Sequence, residues 1–267
     1  MSEGRFHLAG VCLSSCGTVR ATNEDAVAID PVRGFAVVAD GMGGHRSGEV
    51  ASQMACTAVV DRLKAISRPA TRTSMRFLKE LVAGVNREIH AASALPEHRG
   101  MGATLALVVT DGARAAWVHV GDSRIYRLRD GQLELLTRDD TLLSDQVAAG
   151  LIDVAEVGNS RNRHFVTQAL GVASQVTVHG GDEALHEGDL YLLCTDGLND
   201  QVSDDEIALI LSSLQTNLPI AAEHLVQLAN DCGGYDNVSV ALLRVERAAA
   251  PATGRWLARL FSWRFRG

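Results

Sequence analysis

The pattern that most constrains the fold of this chain is an apolar strand that ends in an aspartate next to a glycine. "AVVADG" ends at Asp40, "WVHVGD" ends in Asp122, and "LYLLCTDG" contains Asp196, while "GGYDN" places Asp236 just before the last strand. A single Asp-Gly pair is a common turn. Carboxylates gathered at the ends of core strands repel one another and lose hydration, which costs several kcal/mol per ion unless it is compensated. A bound divalent cation is the usual compensation, so the repeated pattern predicts a metal site.

The donor atoms in these motifs indicate which metal would bind. All of them are oxygens, and no cysteine or histidine shares the motifs, so hard ions such as Mg²⁺ or Mn²⁺ fit better than zinc. Gly41 adds a backbone carbonyl that can approach an ion held by Asp40, because glycine has no side chain.

A polar turn, "GTVRATNED" at residues 17–25, supplies a complementary set of side chains. The guanidinium of Arg20 is a fork-shaped donor that suits phosphate oxygens, and Glu24 and Asp25 follow it closely. A phosphate-binding arginine beside an acidic metal site favours phosphoryl transfer to water. Two ions roughly 3.5–4 Å apart can hold a bridging hydroxide and neutralise the phosphate during in-line attack.

Composition narrows the class of protein. The 267 residues fit one large domain or two small ones, and a net charge of -7 argues against a nucleic-acid binder. The five cysteines form no CxxC pair, and Cys12 and Cys16 lack the second pair that would complete a zinc site, so free thiols in a reducing cytoplasm are expected. The chain shows no secretory signal and no apolar run of membrane-spanning length, so we predict a soluble, cytoplasmic protein.

The apolar periodicity predicts nine or ten strands in runs, with helices in two pairs. Strands are predicted at 6–16, 25–30, 103–110, 115–122, 124–131, 132–137, 189–197 and 237–245, with one more ending at Asp40; helices are predicted at 47–66, from Phe77 to Ile89, at 203–213 and at 219–231. This grouping is typical of an α+β fold with sheets inside layers of helices. Residues 138–180 are polar and irregular around one short amphipathic segment, which is typical of a functional or mobile insertion.

Taken together, the motifs resemble those of the metal-dependent type 2C family of serine/threonine protein phosphatases, in its compact bacterial form. The matching stretches occur in the family's order over roughly residues 8–245: "RATNED", "VVADGMGGHRSGE", "MGATL", "HVGDSRIYRL", "LCTDGL" and "GGYDNVSV". One such motif would be weak, whereas the ordered set is highly specific. The resemblance implies a four-layer α-β-β-α sandwich of two antiparallel sheets flanked by helix pairs, with a dinuclear Mn²⁺ or Mg²⁺ centre in a cleft at one end.

The resemblance also implies a set of metal ligands. Asp40 matches the ligand that bridges the two ions, and Gly41 matches the carbonyl ligand. Asp196 and Asp236 match ligands of the first metal. Asp122, together with Asp196, matches the third-metal site of bacterial relatives.

Further positions match residues around the metals. Arg20 matches the phosphate-binding arginine, and Glu24 and Asp25 match acids that hold metal-bound waters. Residues 138–180 match a flap beside the active site that influences substrate access.

The chain departs from the family at two positions. Met42 stands where animal relatives have a histidine proposed as the general acid, so a metal-bound water is the first choice of proton donor and His45 is the second. Asp140, within "TRDDT", stands where relatives often carry histidine, which leaves the role of that position open.

Other phosphatase chemistries fit less well. Cys56 and Arg62 have the C-x5-R spacing of cysteine phosphatases, but the intervening residues lack glycine and follow a helical pattern. "GDSR" lacks the histidine of the GD-x-HG metallophosphatases, and no G-x4-GK[ST] phosphate loop is present. Two alternatives stay open: a catalytically silent phosphoprotein-binding pseudophosphatase, and a phosphatase for small phosphorylated metabolites.

The predicted organisation is a phosphatase domain over residues 1–246, followed by a linker and a basic, aromatic tail over 247–267. Basic amphipathic segments can lie on anionic membranes or dock on a partner, while a disordered tail, or one folded back on the domain, is expected at least as much. The predicted partners are phosphorylated serine/threonine proteins and a cognate kinase, with the enzyme acting as a monomer by direct hydrolysis.

Overall fold

A computed structural model describes residues 6–43, 47–67, 73–152 and 165–247. In these ranges the strands are β1 Phe6–Ser15, β2 Asp25–Asp30, β3 Phe35–Met42, β4 Gly102–Ala103, β5 Leu105–Thr110, β6 Arg114–Val120, β7 Arg124–Arg129, β8 Gln132–Leu135, β9 His179–Ala184, β10 Leu190–Cys194 and β11 Val238–Arg247. The helices are α1 Ser47–Lys64, α2 Met75–Ala92, α3 Leu142–Ala148, α4 Asp196–Asn199, α5 Asp204–Leu214 and α6 Leu218–Asp231, with a 3-10 turn at Pro96–His98.

The strands form two antiparallel sheets. One has the order β1-β11-β10-β7-β8, and the other has the order β2-β3-β5-β6-β9, with β4 paired to the end of β3. Helices α1 and α2 pack on the outer face of the second sheet, and α5 and α6 pack on the outer face of the first. A third apolar cluster fills the space between the sheets. The predicted α-β-β-α sandwich is confirmed.

Strand β3 shows why the core strands read as continuous apolar runs. Phe35, Val37 and Ala39 point into the cluster shared with α1 and α2, while Ala36 and Val38 point into the cluster between the sheets. Successive side chains of a strand point to opposite faces. Because both faces of β3 are covered, neither can be polar, and the apolar run continues until the strand leaves the sandwich.

The helices begin and pack as their sequences dictate. In α1, Ala51, Ala55, Val59 and Leu63 recur every four residues and are completely buried, which gives one apolar stripe against the sheet. Helix α5 begins with a capping box, in which Ser203 and Glu206 each bond the other's backbone N–H.

One strand was not predicted. The segment of β9, "HGGDEA", contains two glycines and lacks the alternation of apolar and polar residues that indicates a strand. It forms because β6 offers a free edge and pairs with it over six residues.

Several predictions fall on residues outside the described ranges. They concern His45, residues 153–164 of the flap and residues 248–267 of the tail. In the part of the chain that the structure describes, no helix is long and apolar enough to cross a membrane.

Candidate metal centre and phosphate-binding cleft

Several strands end around a cleft of about 750 Å³ at one end of the sandwich. The predicted residues that line it are Arg20, Glu24, Asp40, Gly41, Asp122, Asp196 and Asp236, together with Met42. Asp25 lies opposite Asp40 in the β2–β3 pair and is 5% exposed. The fold therefore brings together carboxylates that are up to 212 residues apart in sequence, the separation of Glu24 and Asp236.

The carboxyl of Asp40 is strongly perturbed by its surroundings. Burial raises the pKa of Asp40 well above its usual range, and the neighbouring carboxylates of Asp196, Asp25 and Asp122 raise it further. Asp40 is partly exposed at the cleft, but the protein packed around its carboxylate is dense enough to remove most hydration. Like charges directly opposite each other in an antiparallel pair are destabilising, so the register of β2 and β3 adds to the repulsion.

Asp25 has a carboxylate that the protein satisfies on one side only. Burial raises the pKa of Asp25 to about 7, although hydrogen bonds from Ser239 and Thr195 oppose the shift. Its Oδ2 accepts a hydrogen bond from Thr195 Oγ1 at 2.9 Å. Its Oδ1 is buried and has no hydrogen-bond partner among the described residues. A buried carboxylate oxygen in this state is costly unless something polar or cationic reaches it.

Asp122 extends the acidic cluster along the cleft. It is 7% exposed, and burial raises the pKa of its carboxyl to about 8, with Asp196 and Asp139 adding to the shift. It lies two residues after β6 and lines the cleft, and its role as a third-metal ligand stays a prediction.

These carboxylates fit divalent cations. They are oxygen donors that lose hydration and repel one another, and Arg20 is the only cationic side chain among the described residues that line the cleft. In the described ranges no group of three or more acidic, histidine or cysteine side chains is placed so that it could hold a metal ion by itself. Mg²⁺ and similar ions keep several water ligands and need only one or two carboxylates each, so carboxylates spread around an open cleft suit them.

Arg20 lies beside the carboxylates with its side chain half exposed. Its Nη2 donates to Asp236 Oδ2 at 2.6 Å, and its Nε donates to the carbonyl of Tyr235 at 3.3 Å. These bonds use two of the five N–H donors of the guanidinium. The predicted phosphate-binding arginine is therefore oriented at the cleft by the loop that carries a predicted metal ligand.

Asn237 organises this loop, and the sequence analysis gave it no role. Its Oδ1 accepts the backbone N–H of Glu24 at 2.7 Å, and its Nδ2 donates to the carbonyls of Cys16 and Thr22 at 3.0 and 2.9 Å. It is 5% exposed. One buried amide therefore joins the start of β11 to the turn that carries Arg20. The only sequence signal for a role of Asn237 is its position directly after Asp236 in "GGYDN".

Close backbone packing explains the glycines that follow two of the aspartates. A Cβ on Gly41 would lie 2.0 Å from the carbonyl oxygen of Gly48 at the start of α1. A Cβ on Gly197 would lie 1.9 Å from the carbonyl oxygen of Asn237. The sequence suggested that position 41 is glycine so that an ion can approach its carbonyl. The structure adds a steric requirement for glycine that holds without any ion.

A pair of buried hydroxyls connects Asp40 to the Asp122 turn, and sequence reasoning missed it. Thr104 Oγ1 accepts the backbone N–H of Asp40 at 2.9 Å, and Thr104 N–H donates to the Asp40 carbonyl at 2.8 Å. Thr104 Oγ1 also lies 2.7 Å from Ser123 Oγ. The two hydroxyls fix the spacing between the loops that carry the carboxylates.

Asp140 fastens the base of the flap to the same turn. Its Oδ2 accepts the N–H of Gly121 at 3.0 Å, and its own N–H donates to the Gly121 carbonyl at 3.0 Å. Its carbonyl accepts the N–H of Thr167 at 2.7 Å, and Oδ1 lies 3.4 Å from His179 Nε2. The position that the sequence left open is thus a 3% exposed anchor between flap and cleft.

The cysteine-phosphatase alternative has no support in the described structure. Cys56 lies inside α1, where it is 5% exposed and its thiol donates to the carbonyl of Ala26. Burial raises the pKa of this thiol to about 12, so it is not a thiolate near neutral pH.

Comparisons with known proteins agree with this arrangement. The sequence profile described as protein phosphatase 2C matches residues 14–229. A putative protein phosphatase 2C-type protein of Streptococcus pyogenes is 34% identical over 233 residues, which are 86% of this chain and 94% of that relative. The crystal structure of the Mycobacterium tuberculosis serine/threonine phosphatase PstP/Ppp has a TM-score of 0.83 and 36% identity, covering 90% of this chain and 99% of that one.

A structure of the PstP catalytic domain in complex with two manganese ions also matches, with a TM-score of 0.78 and 35% identity over 90% of this chain and 99% of that one. The chain therefore belongs to the protein phosphatase 2C family. It is a metal-dependent serine/threonine phosphoprotein phosphatase, a hydrolase whose cofactor is Mn²⁺ or Mg²⁺.

Proposed function

We propose that the cleft is the active site and that its carboxylates hold the cofactor ions. Asp40 would be shared by two ions, with Gly41 giving a carbonyl and Asp196 and Asp236 giving carboxylates. Asp122 would serve a third ion with Asp196. The observation that carries this proposal is the group of dehydrated, mutually repelling carboxylates around one open cleft.

Two further acids complete the proposed site. Glu24 lines the cleft, and burial raises the pKa of its carboxyl. Asp25 presents the buried Oδ1 described above. Both would hold the ions through water. When bound, the ions supply positive charge that neutralises the phosphate and makes water a stronger nucleophile.

Arg20 would bind the phosphoryl group. A guanidinium is planar, always charged, and able to bind two phosphate oxygens at once. Asp236 and the Tyr235 carbonyl orient it without using all its donors. No histidine is among the described residues that line the cleft, and His45 is outside the described ranges, so we assign the leaving group's proton to water in the cleft.

Several finer points belong to the same proposal. The substrates would be phosphoserine and phosphothreonine proteins made by a cognate kinase, and the enzyme would act as a monomer. The five cysteines are free, which supports a reducing cytoplasm.

The domain would span residues 1–246. Within the predicted tail 247–267, residues 255–267 would contact an anionic surface through their four arginines and their large apolar side chains, which co-sedimentation with anionic liposomes of the full chain and of residues 1–250 would test.

The function is tested by phosphate release from a phosphothreonine peptide, with Mn²⁺ and with EDTA. We expect turnover that needs the metal and falls by at least about 100-fold in Asp196→Asn, because a metal ligand is lost. Phosphorylated metabolites at the same concentration separate the two phosphatase alternatives. A wild-type protein that binds Mn²⁺ in calorimetry but hydrolyses neither class of substrate would instead be a pseudophosphatase.

A further inference from the structure

Two aromatic rings stand exposed at the rim of the cleft. Phe165 is 61% exposed and Tyr235 is 64% exposed, and both line the same cleft as the carboxylates. Single exposed hydrophobic side chains are normal on a protein surface. Two large exposed rings beside one polar cleft are less common, and both leave apolar area in contact with water where a substrate would enter.

The rings belong to separate loops, and each loop is hydrogen-bonded through its backbone to a segment that has another exposed apolar residue. The Phe165 carbonyl accepts the backbone N–H of Leu142, which is 39% exposed. The residue before Tyr235, Gly234, accepts the backbone N–H of Val19, which is 63% exposed. The cleft is therefore lined by one exposed ring at the base of the flap and by another in the loop that bonds the predicted phosphate-binding arginine.

The loop that carries Tyr235 is hydrogen-bonded to the predicted phosphate-binding arginine, Arg20. The carbonyl of Tyr235 accepts a hydrogen bond from Arg20 Nε, and the next residue is Asp236. A phosphate held by Arg20 would therefore bring the neighbouring residues of its peptide close to the Tyr235 ring. In an extended peptide consecutive Cα atoms are 3.8 Å apart and side chains alternate in direction, so residues next to the phosphoresidue reach the walls of a cleft of about 750 Å³.

We propose, on the basis of the function proposed above, that the substrates of this enzyme carry large apolar side chains next to the phosphorylated residue. Phe165 and Tyr235 bind those side chains. Aromatic rings provide large contact area at low conformational-entropy cost, and covering them removes apolar area from water on both partners. Acidic flanking residues are disfavoured, since Glu24 and Asp200 also line the cleft.

The test uses three phosphothreonine peptides of equal length with Leu, Gly or Glu on both sides of the phosphoresidue. For the wild-type enzyme with Mn²⁺ we expect kcat/KM to be about tenfold higher for the Leu peptide than for the Gly peptide, with the Glu peptide lowest. This Leu-to-Gly ratio should fall several-fold in Phe165→Ala and in Tyr235→Ala. It should be retained in Phe165→Leu and Tyr235→Phe, which keep an apolar side chain.

Leu209→Ala is the matched control, because Leu209 is 68% exposed on α5 and is not among the cleft-lining residues. Its Leu-to-Gly ratio should equal that of the wild type. If the wild type hydrolyses none of the three peptides, the proposed function fails. If it hydrolyses all three equally, or if the ratio survives in Phe165→Ala and Tyr235→Ala, the inference on flanking residues is overturned while the phosphatase function stands. Thermal melts of each variant establish that the ratios come from folded protein.

Discussion

Strand β10 has an aspartate near each end, and the two aspartates have different charged neighbours. Asp189 precedes the strand, is 1% exposed, and is bound at both oxygens by Arg129, with Nε–Oδ1 at 2.6 Å and Nη2–Oδ2 at 2.7 Å. Asp196 follows the strand and faces a cleft that it shares with Asp40 and Asp122. The same residue type on the same strand is therefore neutralised at one end and grouped with like charges at the other.

An arginine, Arg124, also lies near the cleft end of β10, but it forms an ion pair with Asp139. Arg124 begins β7 directly opposite Cys194, the last residue of β10. It forms a two-bond ion pair with Asp139 and donates to the hydroxyl of Tyr126. A protein cation is thus supplied where an acid is structural. At the cleft end Arg124 is held in this separate network and Arg20 pairs with Asp236, so under the proposed function metal ions would supply the remaining positive charge.

The largest expected effect comes from removing one charge at the cleft end. Asp40→Asn should lower Mn²⁺-dependent phosphate release by about 10³-fold or more, equivalent to about 4 kcal/mol, because the shared ligand is lost. Its melting temperature without metal should not fall, since the change removes a carboxylate that burial and like charges destabilise. Activity assays and metal-free thermal melts measure both. Full activity in Asp40→Asn would show that the cleft acids do not hold the catalytic ions.

The opposite result is expected at the other end of β10. Asp189→Ala should lower the free energy of unfolding by about 3 kcal/mol, because it leaves Arg129 without its two-bond partner. Glu183, 3.4 Å from Arg129, limits the loss. Denaturant unfolding measures the change, and Mn²⁺ affinity by calorimetry should match the wild type. The comparison of the two ends would be wrong if Asp189→Ala weakened Mn²⁺ binding as much as Asp40→Asn does.

A smaller effect should appear in the pH dependence of stability. The pKa values of Asp25 and Asp122 in the folded protein, about 7 and about 8, lie above the unfolded value near 3.8. Between these values the folded state binds more protons than the unfolded state, so stability without metal is highest at low pH and falls as pH rises through about 7 to 8. The slope should be roughly 1 kcal/mol per pH unit for each group.

Saturating Mn²⁺ should abolish or reverse that slope. Metal binding requires ionised carboxylates, so it becomes stronger as pH rises. Denaturant melts from pH 5 to 8, with EDTA and with Mn²⁺, measure both conditions. If stability changed with pH equally with EDTA and with Mn²⁺, the carboxyls with raised pKa values would not be the groups that bind the metal.

Local patterns in the sequence predicted the core strands, the helix pairs and the acidic cluster, whereas the four-layer sandwich was predicted from the resemblance to the family. Continuous apolar runs that end in aspartate identify strands buried on both faces and mark where they leave the core. Strand β9 was missed since its formation depends on the free edge of β6, which "HGGDEA" does not reveal. Thr104, Ser123, Asn237 and the contacts of Asp140 were missed for a related reason: their partners lie 19 or more residues away, and no spacing rule predicts them.

The smallest effect we predict compares the two ends of strand β5. Thr104 precedes it at the cleft, and Thr110 ends it on the opposite side; both are buried. Thr104→Val should cost about 1 kcal/mol of stability, because the N–H of Asp40 and the hydroxyl of Ser123 lose a partner. It should also weaken Mn²⁺ binding about tenfold, since groups that orient metal ligands have effects of that size. Thr110→Val is the matched control and should leave Mn²⁺ affinity unchanged. Calorimetric titration of both variants decides the matter: equal affinities would mean that the hydroxyl pair supports the fold and does not position the ligand.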